Sequence, residues 1–221
     1  MFARAHPGTT AAAKARYQQG FQWHTINTLG TIEPRGADPT SRFFRVLDIV
    51  KELESGRYPA SEWTAKAPSL ISQFFFPQDA KIAPENVDRL VGALEEFAAT
   101  HFTLQADFPG DSSIGYLLTS KLPDLYELKG QRTEGVEQTL SRLERRVADP
   151  AAVRFLRGMF YLRVPRNESP QARPVRLENA REALRGVSAE GRALVHRQAL
   201  ATLASLDFAE KNYAPARAAF R

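Results

Sequence analysis

A chain of 221 residues with 43% hydrophobic and 25% charged residues can bury a true core, which excludes general disorder. It contains no cysteine, so disulfides, thiolate zinc sites and a cysteine nucleophile are excluded together. The net charge of +5 is uneven: residues 1–130 hold 13 Lys/Arg against 15 Asp/Glu, residues 131–221 hold 17 against 10, and 16 of those 17 are arginine.

The N-terminus, MFARAHPGTTAAAKAR, lacks the apolar middle of a secretory signal. It is basic and free of acids until Glu33, a composition shared with organelle transit peptides, but residues 1–40 read best as a solvated arm. No apolar run approaches the ~18 residues that cross a bilayer, and a cytoplasmic location is expected. Within the arm, Phe21, Trp23 and Thr25 alternate with polar positions, which suits a strand or a loose helix. A turn follows at Pro34–Pro39.

Residues 41–130 form the expected central helical region. Phe43, Val46, Leu47, Val50 and Leu53 fall at helical spacing, with Thr40 or Ser41 as cap and Gly56 and Pro59 as terminators. Pro68, Pro77 and Pro84 break the next stretch, and Phe74, Phe75 and Phe76 between them fill a junction. Arg42–Leu53 and Ala60–Ala67 also allow the first two helices of a helix-turn-helix. Val87, Leu90, Val91, Leu94, Phe97 and Ala98 make the best apolar stripe, opened by Pro84. Phe102, Leu104, Ala106 and Phe108 alternate as a short strand or an extended connector would. A helix over 114–128 should be kinked or split by Pro123.

Residues 131–221 are helical throughout and form the expected repeat-like region. Stripes run through Val136, Leu140, Leu143 and Val147, then Phe155, Leu156, Met159 and Phe160, then Leu177, Ala180, Leu184 and Val187. A final pair of helices, 190–208 and 212–221, is expected to fold back on itself through Ala204 and Ala216.

That last segment, LASLDFAEKNYAPARAAF, resembles a tetratricopeptide repeat. Leu203 and Ala204 match the bulky–small pair of the family's first helix, and Phe208 the aromatic that closes it. Tyr213 lies in the turn, Ala216 at the close crossing and Phe220 on the second helix. Asp207 departs from the family's aromatic, and Lys211 from its turn glycine. The resemblance implies a mainly α fold of stacked hairpins, an α-solenoid at the C-terminal end, with a few short strands allowed in the N-terminal half. The sequence ends inside the second helix, which implies further repeats beyond Arg221 or a partner on the open end.

Chemistry is sparse. His6, His24, His101 and His196 are too far apart in sequence for a zinc ligand pair. No phosphate-cradling glycine loop and no nucleophile elbow occurs. Asn167-Glu168-Ser169 matches a glycosylation acceptor. No catalytic residue, cofactor or metal is expected. The expected function is non-enzymatic: a protein-binding or scaffold subunit of a larger assembly, or a homo-oligomer, with Phe208, Tyr213 and Phe220 as contact residues. The alternative is nucleic-acid binding through the Arg-rich half. There Arg142, Arg145 and Arg146 lie off the stripe of their helix, although Glu137, Glu144 and Glu178 dilute the charge.

Overall fold

The computed structural model describes residues 8–25, 38–74, 76, 81–102, 114–163, 165, 168–187 and 193–213. The fold is mainly helical, and no strand occurs among the described residues. The helices are α1 (Thr10–Thr25), α2 (Thr40–Glu54), α3 (Glu62–Ala65), α4 (Ser69–Ser72), α5 (Pro84–His101) and α6 (Ile114–Tyr116). A π-helical turn (Leu117–Lys121) then leads to α7 (Leu122–Glu127), α8 (Arg132–Glu144), α9 (Pro150–Leu162), α10 (Ala172–Arg185) and α11 (Ala193–Ala209). The chain divides into two compact units, Met1–Phe97 with Gln105–Leu117, and Ala98–Leu104 with Leu118–Arg221. The expected boundaries at 40 and 130 both fall inside these units.

The first unit corrects the expectation of a solvated arm. Residues 10–25 form a 16-residue helix, with Phe21, Trp23 and Thr25 on its last turns. It packs antiparallel on α2: Arg16 meets Glu52, Gly20 meets Ile49, and the Trp23 carbonyl accepts from Arg42 at 3.3 Å. A Cβ at Gly20 would stand 2.8 Å from the Leu70 side-chain tip and 3.1 Å from Ile49, so the helices approach closely here. The buried face is made of Ala12, Ala13 and Gly20, small residues that carry almost no hydropathy signal.

α2 forms as its stripe predicts, and Gly56, at φ +79°, terminates it. The cap differs from expectation. Neither Thr40 nor Ser41 serves; Asp38 accepts from the Thr40 backbone N–H at 2.9 Å and from the Asn86 amide at 2.7 Å. Burial pushes the Asp38 carboxyl up, but hydrogen bonds from the Thr40 hydroxyl, the Thr40 backbone N–H and the Asn86 amide outweigh it and hold it below its ordinary value. Phe74 is buried edge-on against Phe43 (5.2 Å) and Phe76 (5.0 Å), so these two of the three aromatics fill a junction, and Phe75 lies outside the described residues. Among the described residues no helix-turn-helix is built here: α3 and α4 are single turns of four residues, and the next described helix begins at Pro84. In α5 the predicted stripe Val87, Leu90, Val91, Leu94, Phe97 and Ala98 is buried throughout. The strand-like segment 102–108 lies outside the described residues beyond Phe102.

Pro123 splits its helix as expected. It has no N–H to give the carbonyl four residues back, and its ring crowds that carbonyl, so the ladder widens into the π turn just before it.

The second unit is a run of hairpins. α7 turns into α8 at Gly130 (φ +66°), where the Gly130 N–H bonds Glu127 O at 3.0 Å and the Gln131 N–H bonds Tyr126 O at 3.0 Å. This pair of bonds closes a helix through one left-handed residue. The Tyr126 hydroxyl meets Thr139 Oγ1 at 2.9 Å, and a Cβ at Gly135 would lie 2.2 Å from the Tyr126 ring. α8 and α9 are antiparallel, with Glu137 beside Arg157 and Glu144 beside Arg154. α9 and α10 cross closely, since a Cβ at Gly158 would stand 2.6 Å from Leu184. α10 and α11 run antiparallel too: Val187 O meets His196 Nδ1 at 3.0 Å, and Arg181 pairs with Asp207 and Glu210.

Candidate functional site

α11 is apolar on several faces, and one neighbourhood cannot cover them all. Val195, Ala199 and Ala204 are buried, whereas Leu194, Leu200 and Phe208 are exposed; at about 100° per residue Leu194 and Phe208 share a face, and Leu200 lies about 120° round from Leu194. The helix runs from 193 to 209, close to the expected 190–208. It ends through the same bonding seen at Gly130: the Lys211 N–H bonds Phe208 O at 3.0 Å and the Asn212 N–H bonds Asp207 O at 2.8 Å. The left-handed residue here is Lys211, at φ +64°. A side chain in that conformation costs about 1 kcal/mol that glycine would not.

This turn brings two of the predicted contact residues together. The rings of Phe208 and Tyr213 meet edge to face at 5.6 Å, and they are 63% and 57% exposed. Phe220 and Ala216 lie outside the described residues, as does the second helix beyond Tyr213. Asn167 lies outside them as well.

Arg142, Arg145 and Arg146 sit on the last turn of α8 and just after it, all exposed, on a different helix from Phe208 and Tyr213. Arg142 reaches Thr139 Oγ1 at 3.4 Å, and many arginines of this unit are engaged within it. Arg157 donates to Glu137 Oε2 (2.9 Å), Glu144 Oε2 (3.0 Å) and Ser141 Oγ (3.2 Å). Arg154 donates to Glu144 Oε1 (2.6 Å) and the Gly186 carbonyl (3.2 Å). Arg176 grips both oxygens of Glu168 and reaches the Tyr161 carbonyl. The acids Glu137, Glu144 and Glu178 therefore spend much of the basic charge inside the unit.

The polar layer around Arg157 perturbs its members. Burial raises the Glu144 carboxyl, and the hydrogen bonds from Arg154 and Arg157 overcome this, leaving it below its ordinary range. Burial, then the Glu137 carboxylate, pushes the Tyr161 hydroxyl well up. Beside this layer two cavities open, of about 480 Å³ and 320 Å³. Among the described residues no group of three His, Cys, Asp or Glu could hold a metal, and no helix is long and apolar enough to cross a membrane.

The α7–α8 hairpin was not singled out in the sequence, yet its signal was present. Tyr126, Gly130 and Gly135 are spaced as Asp207, Lys211 and Ala216 are, with an aromatic and a glycine where the last hairpin has neither. Comparisons with protein-family models, with curated proteins and with solved structures give no match.

Proposed function

We propose that this chain is a non-catalytic subunit of a protein assembly, a short array of helical hairpins that binds another protein through the outward face of α11. Two helix ends with the same bonding, at Gly130 and Lys211, and the close crossing at Gly158 support a repeat-like, tetratricopeptide-like array. The observation that carries the binding role is the exposed Phe208–Tyr213 pair at the end of α11, with the exposed Leu194 on the same face of the helix. Exposed aromatics in contact with each other favour burial by a partner, and aromatics dominate such interfaces.

The test is paired affinity capture with wild type and a Phe208→Ser/Tyr213→Ser double variant of unchanged helix content. Wild type retains one protein, or a second copy of itself, in fixed stoichiometry, and the variant loses it. Equal retention by both removes this face from the proposal. A second reading, phosphate binding by Arg142, Arg145 and Arg146, rests on their exposure. Filter binding of nucleic acid that is strong at low salt and collapses at moderate salt favours it over the first.

A further inference from the structure

The two cavities beside α9 differ in charge. Around the smaller, Glu137 and Glu182 balance Arg154 and Arg157. The larger, of about 480 Å³, opens between the start of α8, the end of α9 and the first turns of α10. Among the described residues its wall holds Arg132, Arg163 and Arg176 against one carboxylate, Glu168. Its volume falls within the range of small-molecule sites, roughly 300–1,000 Å³.

That carboxylate is closed to a ligand, because Arg176 grips both of its oxygens. Arg132 is placed differently. It is half-buried and donates through Nη1 alone, to Glu127 Oε2 at 2.9 Å, with Asp124 at 3.6 Å. Both acids are exposed and neither lines the cavity, and pairs of that kind gain little net energy. The Nε and Nη2 of Arg132 meet no acceptor among the described residues, and the hydroxyl of the adjoining Thr133 makes no hydrogen bond among them. Nε and Nη2 are the parallel pair of donors with which a guanidinium takes both oxygens of a carboxylate. Away from them the wall is apolar, with Phe160, Pro165, Ala172 and Val175, and Val175 is left 62% exposed to water. The cavity thus joins an uncommitted guanidinium edge and an excess of positive charge to a chamber that gains by covering its apolar surface.

We propose that this cavity binds a small organic carboxylate with an apolar body, of the arylalkanoate class. The carboxylate takes the Nε–Nη2 edge of Arg132 with Thr133 as a further donor, and the aryl group lies against Phe160 and Val175. The site is separate from the outward face of α11 and does not depend on the function proposed for it.

The experiment is calorimetric titration of the full chain at neutral pH with 4-phenylbutyrate, 4-phenylbutanol and 4-phenylbutylamine. The acid is expected to bind at least about tenfold more tightly than either analogue, the worth of one charge-assisted hydrogen bond. Arg132→Gln, with helix content unchanged by circular dichroism, abolishes that preference and leaves the alcohol as it was. The exposed Val175→Asp serves as the second variant: a negative charge in the wall weakens the acid by about threefold or more and does not weaken the amine. Phe208→Ser/Tyr213→Ser leaves acid binding unchanged, which separates this site from the α11 face. N-acetyl-Ala-Phe with a free carboxylate tells the two sources of such a group apart. Phenylbutyrate binding more tightly than the dipeptide supports a small molecule, and the reverse order assigns the cavity to a peptide end and overturns the proposal. Absence of heat with every probe overturns it too, as does equal affinity for acid and alcohol, or an Arg132→Gln variant that binds the acid as wild type does.

Discussion

Where α2 meets the segment that follows α4, the joining side chains are aromatic. Phe43, Phe74 and Phe76 form one edge-packed cluster, and even the buried Arg42 lies flat over the Phe74 ring at 4.7 Å. Between α8 and α9 the exposed side of the seam is charged, with Arg154 and Arg157 bridging Glu137, Ser141 and Glu144. The aromatic cluster draws its stability from area removed from water, which neither salt nor mild acid changes. The second gains little net energy from partly exposed ion pairs, but it couples the unit to pH. Two stretches of one chain thus reach helical packing by routes that respond to different perturbations.

That contrast is broken most severely by Phe74→Ala. Removing a fully buried ring should cost about 3–5 kcal/mol, at neutral and acidic pH alike. Hydrogen exchange of the α2 amides reads the loss directly. The next effect is expected from Gly135→Ala, whose methyl would collide with the Tyr126 ring. Overpacking costs about 1–3 kcal/mol, against a gain in helix propensity of about 1 kcal/mol. Exchange in α7 and α8 should quicken while α2 is untouched.

Glu144→Gln sharpens the electrostatic side. The Glu144 carboxyl is held below its ordinary value of 4.5, so its contribution is full above that pH and is lost as pH falls through the lower folded value. Wild-type melting temperature should therefore drop as the pH falls below about 4.5. The variant melts lower at pH 7 and declines less steeply. Part of the slope remains in both proteins, because Glu52 and Asp38 are shifted in the same direction. The smallest effect is a gain: Lys211→Gly should raise stability by about 0.5 kcal/mol, as relief of the left-handed conformation outweighs the added freedom of the unfolded chain. A melting curve that moves downward instead would show that the Lys211 side chain has a role of its own.

Helices with bulky apolar stripes were legible in the sequence. α2 and α5 appear where their Val, Leu and Phe spacing places them, Gly56 ends α2, and Pro123 splits its helix. α1 was not legible, because its buried side is alanine and glycine, and packing rather than hydropathy selects them. The Asp38 cap was missed for a different reason. A carboxylate two residues upstream of the helix start caps it here while also accepting from Asn86, 48 positions away, a contact that spacing along the chain does not show. At the candidate interface, Phe208 and Tyr213 could be named from spacing alone. The Arg157 bridge between Glu137 and Glu144 could not be, since it depends on how two helices divide a limited set of donors.

Arg157 has one further implication. Its acceptors Glu137, Ser141 and Glu144 stand at whole turns along α8, at i, i+4 and i+7, so a single rigid fork gauges one edge of that helix. A slip of α8 by one residue would swing all three about 100° around its axis and break every bond at once. The guanidinium thereby acts as an alignment key, and its worth lies in the misthreaded pairings of α8 and α9 that it forbids.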